Sequence, residues 1–312
     1  MYRMMVVIRK FETAIAEAYG EQKMCSPTHL YTGQEAVATG VSLALQKTDK
    51  VLGYYRGHGY YLSRGGDPRE MMAELYCKVT GSNRGKGGSM LLSSPKVGYL
   101  GSSAIVAGGI PISVGVALAS KMRNLDEVTV SFFGDAATEE GVFYESLNFA
   151  ALKKLAVVFV CENNFYAVQS HISKRQAVAD NIYKRAEIFG IPSVKIDGNN
   201  VEEVYNASVQ AVKTARGGNG PFFIEAVTYR WHEHVGPGDD TEFDWRPKEE
   251  LALWKKRDPI FLFEGKLAKE GILSDGLRAE IHEVIDRTVK EAFAFAKESP
   301  LPGPEELMKS IC

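Results

Sequence analysis

Val128-Thr129-Val130-Ser131-Phe132-Phe133 runs into Gly134-Asp135-Ala136-Ala137-Thr138-Glu139-Glu140, and further on Ala156-Val157-Val158-Phe159-Val160-Cys161 runs into Glu162-Asn163-Asn164-Phe165-Tyr166. Each is a short apolar, β-rich run that stops at a polar, turn-forming cluster, the pattern of a strand buried on both faces. Glu139 to Leu152 between them reads as a helix. Outward from this pair the alternation continues: helix at Asn181–Phe189, strand at Ser193–Ile196, helix at Val201–Arg216, strand at Phe222–Val227. Strands separated by helices imply right-handed crossovers, hence an α/β fold with a parallel sheet flanked by helices.

Toward the N-terminus, Met4, Val7, Ile8, Phe11, Ile15 and Tyr19 recur at steps of three and four and predict an amphipathic helix over Arg3–Tyr19. Thr32 is the expected cap of a second helix, Gly33–Gln46. Gly53–Gly109 is dense in glycine and reads as mostly loop, and long loops inside a compact domain are usually functional. Trp231–Pro247 breaks the periodicity with His, Gly, Pro and Asp, a mobile-loop composition. Helices at Pro259–Lys269 and Ser274–Lys297 precede a Pro-rich tail.

The 312 residues carry 37 Lys+Arg against 39 Asp+Glu, a net charge of −2 that leaves no basic footprint for nucleic acid or an anionic membrane. No apolar run approaches the roughly 20 residues of a membrane span, and the first ten residues resemble neither a signal nor a transit peptide. Cys25, Cys77, Cys161 and Cys312 show neither metal spacing nor a disulfide framework. A cytoplasmic, bacterial-type setting is expected.

Ligands of open parallel sheets bind outside the carboxyl ends of the strands. If the strands ending at Phe133 and Cys161 are neighbours, Asp135 and Asn164 reach one crevice, and a carboxylate with an amide oxygen suits Mg2+ and phosphate oxygens. Gly134 would let backbone approach the ligand, and the helix after it would offer free N–H groups to an anion. Taken singly, Gly-Asp is also a common turn and Asn-Asn an ordinary loop; the site reading rests on both halves ending successive strands.

Gly134-Asp135 followed by Asn163-Asn164, with 28 residues between Asp135 and Asn164, resembles the thiamine-diphosphate fingerprint. More specifically, the chain is similar to the α subunit of heterotetrameric 2-oxo acid dehydrogenase decarboxylating components, of pyruvate, branched-chain or acetoin type. The likeness runs from about Phe11 to the C-terminus through His29-Leu30-Tyr31-Thr32-Gly33-Gln34-Glu35-Ala36, Tyr55-Arg56-Gly57-His58-Gly59, Gly85-Lys86-Gly87-Gly88-Ser89-Met90, Tyr229-Arg230-Trp231-His232-Glu233-His234 and Arg257-Asp258-Pro259-Ile260. The resemblance implies a transketolase-like thiamine-diphosphate fold over residues 1–312, its cofactor core about 28–235 and a C-terminal extension about 236–312.

It also implies roles. Asp135 and Asn164 would ligate Mg2+ by side chain and Tyr166 by its backbone carbonyl. Tyr55 and Arg56 would bind the diphosphate, and Ala104, Val106, Gly134, Ala136 and Ala137 would line the cofactor. Val168 would sit under its bent form. His29 and His234 would be the active-site histidines, with His58 and His232 supporting loops. The cofactor attacks a 2-oxo acid or acetoin-like ketone and passes an acyl group to a lipoyl acceptor. Its activating glutamate comes from a separate β subunit, so the expected partners are that subunit, in an α2β2 assembly, and a lipoyl acyltransferase.

Four departures qualify this. Ala136 stands where the fingerprint usually has Gly and would crowd the diphosphate. Leu91 replaces a usual His, and Ala104-Ile105-Val106 replaces a Gly-Ile-Val-Gly turn. Val235 follows His234 where eukaryotic organellar enzymes carry a regulatory serine. The first two keep an alternative open, a divergent, non-catalytic scaffold subunit.

Overall fold

A computed structural model describes residues 1–24 and 26–309; Cys25 and Cys312 lie outside it. Six strands form one sheet in the order β2-β1-β3-β4-β8-β7, every neighbouring pair parallel. They are β1 (Lys50–Tyr54), β2 (Tyr99–Ser103), β3 (Thr129–Gly134), β4 (Val157–Asn163), β7 (Ser193–Asp197) and β8 (Phe222–Val227), while β5 (Tyr166–Ala167) and β6 (Ser170–His171) make a separate antiparallel hairpin. The two strands singled out from the sequence are neighbours in the middle of the sheet. All seven residues of β4 are buried, as a strand covered on both faces must be.

Side chains of the central strands alternate between two apolar layers, following the period of two. Val130, Phe132, Val158, Val160, Ile224 and Ala226 share one hydrophobic cluster with α1 (Tyr2–Ala18), α2 (Glu35–Leu43) and α8 (Val201–Arg216). Phe133, Val157, Phe159, Cys161 and Phe223 join the opposite cluster, with α5 (Gly109–Met122) and α6 (Gly141–Leu152). The last long helix, α11 (Asp275–Glu298), adds Ile285, Val289, Ala292 and Ala296 to the first cluster. The C-terminal extension is therefore packed onto the same core as the N-terminal helix. Among the described residues no helix is long and apolar enough to cross a membrane.

Several local expectations change. Gly53–Gly109 is mostly loop and turn as expected, but it also holds β2, α3 (His58–Ser63) and α4 (Pro68–Leu75), which were not expected. Asp67 caps α4 by accepting from Arg69 N, with Pro68 at the first turn. Thr32 caps nothing: α2 starts at Glu35 after Gln34, and the Thr32 hydroxyl is buried without a partner. Gly33 before it is held at φ +100°, where an added Cβ would stand 2.3 Å from the Tyr229 carbonyl oxygen. The helix expected over Asn181–Phe189 shrinks to α7 (Lys184–Glu187), and α9 (Lys248–Lys255) appears unannounced before α10 (Pro259–Lys269). A 3-10 turn, Asp135–Glu139, follows β3 in place of a direct helix start.

Candidate active site

The carboxyl ends of β1, β3 and β4 open onto a cavity of about 260 Å³. Tyr55 and Arg56 leave β1; Ala104 and Val106 come from the turn after β2; Gly134 closes β3, and Asp135, Ala136 and Ala137 start the 3-10 turn. Asn164 leaves β4, Tyr166 and Val168 belong to the β5–β6 hairpin, His29 precedes α2, and His234 hangs from the loop after β8. Every one of these residues named from the sequence lines the one cavity. Reasoning from sequence missed Tyr54, Met90, Ala107, Phe133 and Ala167, which complete the wall. Met90 rather than its neighbour Leu91 faces the space, so the His-to-Leu departure falls outside the lining.

Register explains why the two polar strand ends meet. Gly134 pairs with Glu162 across the β3–β4 ladder, so Asp135 and Asn164 leave the sheet at nearly the same level. Asp135 is almost fully buried and forms an ion pair with Arg175, whose guanidinium also reaches Glu139. Burial pushes the Asp135 carboxyl above its ordinary range and Arg175 pulls it back. Asn164 Nδ2 donates to Gln34 Oε1 at 3.0 Å, and Asn164 Oδ1 accepts from Tyr166 N at 3.2 Å, which leaves one lone pair of that oxygen for another donor or a cation.

Among the described residues no three His, Cys, Asp or Glu side chains converge to hold a metal. A cation here would rest on one carboxylate, one amide oxygen and a backbone carbonyl. That hard-oxygen set suits Mg2+ completed by phosphate and water. At Gly134 an added Cβ would meet nothing within 4 Å, so no protein atom requires glycine there and the space beside the strand end stays open.

The opposite wall is basic and aromatic. Arg56 is buried; one of its terminal nitrogens donates to Leu30 O at 2.6 Å while its Nε finds no partner. The rings of His29 and Tyr55 lie 4.4 Å apart and those of His29 and His234 5.0 Å apart, edge to face. Burial, with Arg56 adding repulsion, brings His29 down to about 2, and burial with Arg56 and Arg230 brings His234 down to about 3. Both imidazoles are neutral at neutral pH. Their Nδ1 atoms are buried and unpartnered. Unpaired buried donors are uncommon in folded proteins, and a guanidinium N–H with two such imidazoles lining one cavity fits an anionic, heteroatom-rich ligand.

Val168 occupies the first position of the two-residue β5–β6 turn at φ +52°. A positive φ at the first position of a two-residue hairpin turn normally takes glycine, asparagine or aspartate. Ala107 and Phe165, also at the cavity or beside Asn164, have φ of +61° and +71°. Such backbone persists only where surrounding structure enforces it, and it concentrates at functional sites. Here Arg230 does so, donating to Val168 O at 2.7 Å.

The Trp231–Pro247 loop, read from composition as mobile, is fastened from inside. Arg230 and Arg246 are both buried and both pair with the buried Asp240, and Arg246 also donates to Arg230 O at 2.7 Å. Gly236 N donates to Thr28 O at 2.8 Å, tying the His234 segment to the His29 segment. His232 and His58 do not line the cavity. His232 Nδ1 lies 2.9 Å from Pro237 O within the loop. His58 bridges Glu12 of α1 (2.7 Å) and Ser89 of the glycine-rich segment (2.8 Å), all three fully buried.

One residue with no assigned role stands out behind the site. Glu162, fully buried at the end of β4, accepts from the hydroxyls of Tyr31, Tyr54 (2.7 Å) and Tyr60 and, at 3.4 Å, from Gln34 Nε2. Burial pushes its carboxyl up to about 7 against the pull of the tyrosine hydroxyls.

Residues 2–305 match the family model described as "Dehydrogenase E1 component". The chain belongs to this family. It is 41% identical, over all of its length and 73% of the relative's, to the chloroplastic pyruvate dehydrogenase E1 component subunit alpha-3 of Arabidopsis thaliana. It is 37% identical to the alpha subunit of acetoin:2,6-dichlorophenolindophenol oxidoreductase from Bacillus subtilis, covering all of this chain and 92% of that one. The pyruvate dehydrogenase E1 component subunit alpha of Zymomonas mobilis is 39% identical over 99% of this chain and 87% of its own. As the sequence resemblance implied, this E1 component is of the alpha type, and E1 components of this class work with thiamine diphosphate and Mg2+.

Proposed function

We propose that this E1 alpha chain holds the Mg2+–diphosphate half of a thiamine-diphosphate site whose other half a β subunit supplies. The enzyme decarboxylates a 2-oxo acid, or cleaves an acetoin-like ketone, and hands the acyl group to a lipoyl acyltransferase. One observation carries the reading: Asp135 and Asn164, ends of adjacent parallel strands, share a cavity with Arg56, His29 and His234.

In this reading Asp135, Asn164 and the Tyr166 carbonyl hold Mg2+, and Tyr55 and Arg56 hold the diphosphate, with Ala104, Val106, Gly134, Ala136 and Ala137 forming the walls around it. When bound, the cofactor supplies a carbon nucleophile and an electron sink for the bond next to the substrate carbonyl. This chain's residues anchor the remote end, so that binding energy there orients the reactive end. Val168 supports the cofactor from the hairpin turn. His29 and His234, uncharged in their buried setting, would each offer one ring N–H as a hydrogen bond to the substrate oxygen and keep the other ring nitrogen as a proton acceptor. Residues 1–312 act as one unit with core 28–235; the shared hydrophobic cluster of α1 and α11 supports this. The bacterial relatives, and Val235 in place of a phosphorylatable serine, support a cytoplasmic bacterial setting.

Calorimetric titration of the α–β assembly with thiamine diphosphate and Mg2+ tests the site. Saturable binding that disappears in Asp135→Ala is the expected result. Undiminished binding in that variant refutes the metal site, and with it the assignment of the diphosphate end.

A further inference from the structure

The inference concerns how Asn164 is oriented, and it rests on the Mg2+ site proposed above. An asparagine side chain presents either an oxygen or an NH2 group to a cation site, and only the oxygen can ligate. Nothing in the residue itself chooses between the two. The choice is made by a neighbour, and the neighbour here is Gln34, whose amide has the same ambiguity.

Glu162 resolves both. The hydroxyls of Tyr31, Tyr54 and Tyr60 all donate to the two carboxyl oxygens of Glu162, and the Gln34 amide reaches the same group, so the carboxyl is placed as an acceptor toward each of them. Gln34 must therefore turn its Nε2 toward Glu162 (3.4 Å), which turns its Oε1 toward Asn164. Asn164 must in turn offer Nδ2 to Gln34 (3.0 Å), and its Oδ1 is left on the side of Tyr166 N, at 3.2 Å. All three side chains are buried, Gln34 and Glu162 fully, so water does not scramble the polarity. We propose that Glu162 and Gln34 are positioning residues that fix the amide of Asn164 with its oxygen toward the cation. The relay also accounts for a buried carboxylate surrounded by tyrosines with no ion-pair partner among the described residues.

Partners behind a metal ligand typically change metal affinity about 10–100-fold when removed. In the α–β assembly loaded with thiamine diphosphate, Mg2+ affinity measured by calorimetry, and Mn2+ binding measured by its electron paramagnetic resonance signal, should fall about tenfold in Gln34→Met. Glu162→Gln, which offers either polarity, should fall less. The deciding arm is rescue. Asn164→Asp presents an oxygen in both orientations, so Gln34→Met/Asn164→Asp should recover the affinity lost by Gln34→Met, and Glu162→Gln/Asn164→Asp likewise. Asn164→Asp alone measures what the added charge contributes; a merely structural role for Gln34 or Glu162 predicts that each double variant stays as far below Asn164→Asp as the single variant stays below wild type, and that result overturns the relay. So does unchanged Mg2+ affinity in both single variants while Asp135→Ala abolishes binding. Binding that survives Asp135→Ala would instead sink the metal site itself, which separates the two failures. If Gln34→Met does not fold, the Glu162→Gln pair decides alone.

Discussion

Replacing Val168 by glycine should make the protein more stable and the cofactor site worse. The backbone of Val168 is left-handed at φ +52°, in a turn position that glycine occupies without strain. For an L-residue that conformation costs about 1–2 kcal/mol, and glycine's extra freedom in the unfolded chain gives back roughly 0.5–1 kcal/mol. The Val168 side chain is 50% exposed, so little buried apolar area is lost. The net is about 0.5–1 kcal/mol in favour of Val168→Gly, or roughly 1–1.5 °C in melting temperature for a chain of this size. The isopropyl group lines the cavity, and removing it should weaken thiamine diphosphate binding. Differential scanning fluorimetry with and without thiamine diphosphate and Mg2+ reads both effects: the unliganded melting point rises and the ligand-induced shift shrinks. Val168→Ala is the control, because it keeps the strained backbone while removing the methyls. It should show a smaller ligand-induced shift without gaining stability. An unliganded Val168→Gly protein that melts below wild type would refute the argument that strain is stored at this turn.

Arg175 holds its guanidinium against Asp135, so it competes with a cation for that carboxylate. Arg175→Gln should tighten Mg2+ binding by about tenfold, the size of one charge-assisted hydrogen bond; calorimetry showing equal or weaker binding would contradict the competition. His234→Ala should keep thiamine diphosphate affinity and lower turnover by about 10²-fold or more, and unchanged turnover with the natural acceptor would remove His234 from the chemistry. The pH dependence has a definite sign. His29 and His234 are brought down to about 2 and about 3, below the ordinary value near 6.5. The unfolded chain therefore binds their protons first, and stability falls as pH drops below about 6.5, by at most ~1.4 kcal/mol per pH unit for each. Melting temperature should decline from pH 7 to pH 5 more steeply in wild type than in His234→Gln; parallel slopes would count against the buried neutral imidazole.

What could be read from the sequence follows from where each signal resides. The β4 run declares itself because both faces are covered and every residue from Val157 to Cys161 is apolar. Helix α8 matches its expected limits because its apolar stripe and the Asn200 cap are both local. Strand β2 has neither property: Tyr99 is its only buried residue, and Leu100 to Ser103 extend because β1 offers an unpaired edge. Glycines spread through 53–109 masked α4, although the Asp67-Pro68 start was present in plain sequence. The same division holds in the site. Asp135 and Asn164 were legible as strand-end residues of a known spacing. Arg175, Gln34 and Glu162 were not, since their partners lie across the sheet and are set by register.

The distribution of cost in the molecule ties these points together. Apolar side chains fill both faces of the sheet. The carboxyl end of β4 instead buries Glu162, Asn163 and Asn164, and three non-glycine residues with positive φ (Ala107, Phe165 and Val168) gather near it. Buried polar groups are tolerated when each finds a partner, and the Glu162 cluster meets that condition among its tyrosines. Arg56 Nε and the Nδ1 atoms of His29 and His234 do not. Those unpaired atoms and the strained backbone are expensive for the isolated chain, and all but Phe165 belong to residues lining one cavity. A ligand that pairs them should therefore raise the stability of the protein beyond what the packing of the apolar faces alone provides, and the increase should be lost with Asp135→Ala but kept with Val168→Ala in proportion to its residual affinity.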